Sequence, residues 1–133
     1  MRRAFSLLIL LGALVCVPAA RAQNSAAAPA ATPVQKLRFL LKLIPPRTTF
    51  ADDMTPEEGK LMQQHADYWA EQFKNGAVLI IGPVLDPKGA WGMAVLETTT
   101  EGEARTLAMN DPSVKAGLNK FELSPMRVFL MKK

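Results

Sequence analysis

The sequence predicts an α+β fold with the element order β-α-β-β-α-β, and three observations carry the prediction. An apolar run from Leu37 to Ile44 stops hard at Pro45-Pro46, as a strand does before a rigid turn. Thr55-Pro56-Glu57-Glu58 opens a long periodic segment with threonine as N-cap, proline at the first helical position and glutamate closing a capping box. Past Asn75-Gly76, two further apolar runs flank Asp86-Pro87-Lys88-Gly89, a sequence with strong turn chemistry.

Taken in order, Leu37 to Ile44 is the first strand and Arg47 to Met54 a polar loop. The first helix is predicted from Thr55 to about Lys74, where Asn75-Gly76 supplies the stop. On it Leu61, His65 and Trp69 lie one turn apart, and Met62, Ala66 and Phe73 widen the apolar stripe. Ala77 to Ile81 is rich in branched residues and reads as a buried strand continuing through Gly82-Pro83-Val84-Leu85; Trp91 to Thr98 completes a hairpin with it. Thr100 to Met109 forms a second helix with Ala104, Leu107 and Ala108 inward. Asn110-Asp111-Pro112 breaks that helix, and Ser113 to Gly117 adds one more turn. The last strand is predicted from Phe121 to Met131, with Ser124-Pro125 marking an edge position or a change of pairing. The order is that of the ferredoxin-like split βαβ arrangement, a four-stranded sheet with two helices on one face. Both faces of the first strand are apolar, Phe39, Leu41 and Leu43 against Leu40 and Ile44, so the uncovered face predicts a homodimer through the sheet.

The chain is expected to begin with an address. Arg2-Arg3 is followed by an almost wholly apolar run to Val17, and Ala20-Arg21-Ala22 places small residues where a signal peptidase reads. The run falls short of the ~20 residues that span a bilayer. Residues 1–22 are thus predicted to be a signal peptide cleaved after Ala22, 23–35 a disordered Ala/Pro-rich tether, and 36–133 the folded domain. The mature chain would be periplasmic or secreted, with no membrane attachment once the leader is gone. Whether export is by the general or the twin-arginine route is left open. Arg2, Arg3 and Arg21 leave with the leader, so 16 basic side chains fall to 13 against 12 acidic ones. Without a basic stripe interleaved with aromatics, nucleic acid is not an expected partner.

Candidate chemistry is narrow. The one cysteine, Cys16, lies in the leader, so disulfides and thiol nucleophiles are not expected in the mature chain. A single histidine without HxxH or HxH spacing predicts no metal site, and proton transfer requires no organic cofactor. The histidine, His65, sits on the apolar face of the first helix, where a polar ring requires a partner. Asp86 at the end of the second strand is the candidate, giving a catalytic pair in which the carboxylate orients the imidazole as a general base. The alternative for His65 is a core histidine bonded to a backbone carbonyl; for Asp86, a plain turn cap. Arg47, in the loop before the first helix, is a candidate for holding substrate charge, unless simply solvated. Trp91, between Gly89 and Gly92, is a candidate pocket wall, with core or interface packing as its alternative.

Several segments together resemble the YciI-like (YCII-related) family. They are Met62-Gln63-Gln64-His65 with Tyr68-Trp69, Gly82-Pro83-Val84-Leu85-Asp86, the strand Trp91 to Glu97, Glu103-Ala104-Arg105, and Asp111-Pro112-Ser113-Val114-Lys115-Ala116-Gly117. The loop Pro45-Pro46-Arg47-Thr48-Thr49-Phe50 with Asp53-Met54-Thr55 is similar to a subgroup of it. The resemblance implies a ferredoxin-like protomer in a dimeric α+β barrel and a pocket with a histidine–aspartate pair, mapped onto His65 and Asp86. Some members of the family resemble enzymes acting on small ring compounds and others accompany regulatory proteins. A small-molecule ligand is expected; if this chain is an enzyme, its available groups point to proton transfer on a small organic ring by isomerase- or lyase-type steps. The alternative is a non-catalytic binding or dimeric interaction module.

Overall fold

The computed structural model describes residues 35–131. The expected leader and nearly all of the tether lie outside those residues. The elements run β1 (Leu37–Ile44), α1 (Phe50–Asp53), α2 (Pro56–Lys74), β2 (Val78–Val84), β3 (Trp91–Thr98), α3 (Glu101–Asn110), α4 (Pro112–Lys115) and β4 (Lys120–Met126). The sheet is antiparallel in the order β2-β3-β1-β4, the ferredoxin-like arrangement that the element order predicts.

Local chemistry explains the boundaries. Thr55 accepts from the Glu58 amide while the Glu58 carboxylate accepts from the Thr55 amide, the reciprocal capping box read in the sequence. Asn75 caps the far end of α2, and Gly76 turns the chain at φ 78°, a conformation that favours glycine. Pro125 is tolerated because β4 is an edge strand, paired only with β1. β4 stops at Met126, so the expected extension to Met131 does not pair; Phe129 and Leu130 are exposed. The loop expected at Arg47–Met54 contains a one-turn helix, α1, whose Phe50 is buried.

One core lies between the sheet and the helices. Phe39 and Leu41 of β1, Val78 of β2, and Ala94 and Leu96 of β3 meet Trp69 of α2 and Ala104 and Ala108 of α3. α3 brings the small buried side chains Ala104 and Ala108 to this core, and α2 brings the large indole of Trp69. The apolar stripe on α2 is narrower than expected, with Ala66 exposed and Phe73 51% exposed. The sheet face away from the helices carries half-buried Leu40 and Ile44 and buried Val95, and charges as well. Arg38 pairs with Glu97 across the β1–β3 ladder, and Lys42 faces Glu122 across β1–β4. Among the described residues no helix is long and apolar enough to cross a membrane.

Candidate functional site

The site begins with two ring N–H donors on one face of α2. His65 and Trp69 are four residues apart, so their rings project side by side toward the α3–α4 junction. Each requires an acceptor there, and Asp111 supplies it. Its Oδ2 accepts from His65 Nδ1 at 2.7 Å and from Trp69 Nε1 at 2.8 Å. Its Oδ1 accepts from the Ser113 amide and the Ser113 hydroxyl, both at 2.8 Å, and so caps α4. The Asp111 side chain is fully buried. Burial alone would raise the Asp111 pKa, but the hydrogen bonds from His65, Trp69 and Ser113 outweigh it and hold the carboxyl below its ordinary range. The carboxylate therefore accepts and His65 Nδ1–H donates, which fixes the tautomer and leaves Nε2 as the second ring nitrogen. Nε2 has no protein partner among the described residues.

His65 borders a cavity of about 300 Å³. Leu41 and Leu43 of β1 and Ala94 of β3 form its floor, Met62 and Trp69 of α2 one wall, and Phe50 and Met54 the loop side. Among the described lining residues, His65, Asn119 and Trp91 carry polar side-chain groups, and the indole N–H of Trp69 is already taken by Asp111. Asn119, at the entry to β4, donates from Nδ2 to Ser113 Oγ at 3.0 Å. The polar chain thus runs from Asn119 through Ser113 and Asp111 to His65.

Two expectations are corrected by this geometry. The carboxylate that meets His65 is Asp111, not Asp86. Asp86 is exposed; its Oδ1 accepts from the Lys88 amide and its carbonyl from the Gly89 amide, which closes the Asp-Pro-Lys-Gly turn. Arg47 does not line the cavity. It bonds Asp53 through Nε at 2.6 Å and Glu58 through both terminal nitrogens at 2.8 Å, and it lies over the Phe50 ring. The Arg47 fork holds Glu58 down to about 2, helped by the Thr55 amide. Its donors fasten the loop that delivers Phe50, Ala51 and Met54 to the cavity, leaving Arg47 little reach for substrate. Trp91 does border the cavity, though Lys42 lies 5.5 Å from its ring centroid on the sheet face away from the helices.

The family model of the YCII-related domain matches residues 42–127, more than half of the chain. The chain belongs to that family. Among solved structures, an uncharacterised protein of Thermotoga maritima is similar over 70% of this chain and 100% of its own, at 12% identity and a TM-score of 0.45. No curated protein matches the chain significantly.

Within this YCII-related domain, the residues that sequence reasoning missed are Asp111, Ser113 and Asn119. Asp111 before Pro112 reads as a helix break, which it is, and nothing local distinguishes a capping carboxylate in water from one enclosed by side chains 42 and 46 positions away. The available signal is on α2, where two ring donors one turn apart both require an acceptor. Among the described residues no group of three or more His, Cys, Asp or Glu side chains gathers as a metal site.

Proposed function

We propose that this YCII-related domain binds a small organic ring compound in the cavity beside α2 and moves a proton on it through His65. The observation that carries the reading is the 2.7 Å bond from His65 Nδ1 to the buried Asp111 carboxylate, at the edge of a predominantly apolar cavity. With Nδ1–H donated to Asp111, a neutral His65 offers the Nε2 lone pair to an acidic C–H of the ligand. The proton passes to Nε2, and the bonding electrons shift into the conjugated system. The imidazolium is stabilised by Asp111 and returns the proton at another carbon for isomerisation, or to a departing group for elimination. Positioned proton transfer of this kind contributes about 10²–10⁴-fold in rate. In this reading the chain acts as a dimer through the sheet face bearing Leu40, Ile44 and Val95, after export and cleavage behind Ala22.

A second reading, a non-catalytic binding module, draws on the other duties of Asp111, which also caps α4 and holds Trp69. Deuterium exchange separates the two. Small cyclic ketones, lactones and phenols are incubated with the protein in D₂O and followed by NMR. The enzyme reading expects deuterium at the acidic carbon of a bound compound with the native protein and none with His65→Gln. Binding without exchange in the native protein leaves the module reading.

A further inference from the structure

We infer that Asn119 is a specificity residue, selecting a neutral ligand that donates a hydrogen bond from a hydroxyl or N–H group. The inference rests on the cavity reading above and adds to it the class of compound taken. Asn119 is 3% exposed and lines the cavity, and its Oδ1 is buried with no hydrogen-bond partner among the described residues. The orientation of the amide follows from the network. The single Ser113 hydroxyl proton goes to Asp111 Oδ1, so Ser113 Oγ accepts from Asn119, and the amide must present Nδ2 to it. That leaves Oδ1 as a buried acceptor, a group almost always paired in folded proteins. Met62 Sδ lies 3.3 Å from Asn119 Nδ2, and this unbranched side chain also lines the cavity; the assignment requires Met62 to move aside so that a ligand reaches the buried Oδ1.

The chemistry of the ligand follows from what the lining offers. An acceptor calls for a donor. A carboxylate brings only acceptors, would face Oδ1 with like charge density, and meets neither lysine nor arginine among the lining residues. A hydroxyl or N–H on an apolar body satisfies Oδ1, while the rest of the molecule contacts Leu41, Leu43 and Trp69. Analogues lacking the donor leave Oδ1 unpaired, which is the strongest form of polar discrimination available to a small site.

The test compares benzyl alcohol, toluene and benzoate on the native protein and on Asn119→Leu, by isothermal titration and by NMR of the Asn119 side-chain amide. The affinity ratio of benzyl alcohol to toluene should fall about tenfold or more in Asn119→Leu. The ratio, not either affinity alone, removes the greater hydration of the alcohol from the comparison. In the native protein, benzyl alcohol should shift the Asn119 amide signals, toluene should leave them in place, and benzoate should bind more weakly than benzyl alcohol. A ratio unchanged within about twofold overturns the assignment. So does benzyl alcohol binding without movement of the amide signals, which holds the inference to account even if Asn119→Leu fails to fold. Benzoate binding as tightly as benzyl alcohol overturns the neutral-ligand class. If the probes bind without discrimination, only this inference falls; if none binds the native protein, the cavity reading falls and takes it along.

Discussion

Asp111→Ala removes the acceptor of four hydrogen bonds at once and strands Trp69 Nε1 and the Ser113 amide inside the protein. A buried donor left unsatisfied costs about 1–3 kcal/mol, so with two stranded this variant should lose about 2–6 kcal/mol in urea unfolding. Trp69→Phe is the gentler probe. It keeps most of the ring volume but deletes one donor, at about 1–3 kcal/mol. It also carries a pH signature. The folded Asp111 carboxyl titrates below the ordinary aspartate value of 3.8, so its stabilisation is complete above that value and is lost as the pH falls through the lower, folded one. With one donor fewer, the folded pKa rises, and acid unfolding of Trp69→Phe should begin at higher pH than in the native protein. An acid midpoint that does not move would contradict this account of Asp111.

At the level of elements, the loop between β1 and α2 is held from both ends. Arg47 ties it to Glu58 in the first turn of α2, and Gly89 packs against it from the β2–β3 turn. A Cβ on Gly89 would fall 2.8 Å from Thr48 Cβ and 2.9 Å from its backbone, and the glycine sits at φ +126°. Gly89→Ala should therefore destabilise by about 1–3 kcal/mol, measurable as a lower Tm. Arg47→Met should speed amide hydrogen exchange over residues 47–54 and weaken cavity ligands severalfold, with the sheet amides unchanged. High salt should reproduce part of that effect, since the Arg47 ion pairs reach solvent. These elements also show what was legible beforehand. Thr55, Pro56 and Glu58 declare the start of α2 because the capping box is built from neighbours in sequence. Asp86-Pro87-Lys88-Gly89 likewise declares its turn, and the pull of Asp86 toward its own backbone is why it is not the partner of His65. The pairing with Asp111 depends on where α3 ends in space, which no local pattern encodes.

For the whole molecule, the apolar runs declared the strands, and apolar residues on both faces of β1 raised the question of the face away from the helices. The cross-strand pairs Arg38–Glu97 and Lys42–Glu122 were hidden, because register depends on partners about 60 and 80 positions away in sequence. The proposed dimer is checked by sedimentation. Leu40→Glu, on that face and half-buried, should give a monomer with the helix-side cavity intact, whereas a monomeric native protein would contradict the dimer. The hydrogen bonds at Asp111 carry a last consequence for how the protein comes into being. Its imidazole belongs to an early helix, yet the anion that aims it is contributed 46 positions later by the junction that starts α4. A nascent or clipped polypeptide lacking that junction would carry an unaimed base, so any proton-transfer competence would arrive only with the final steps of assembly.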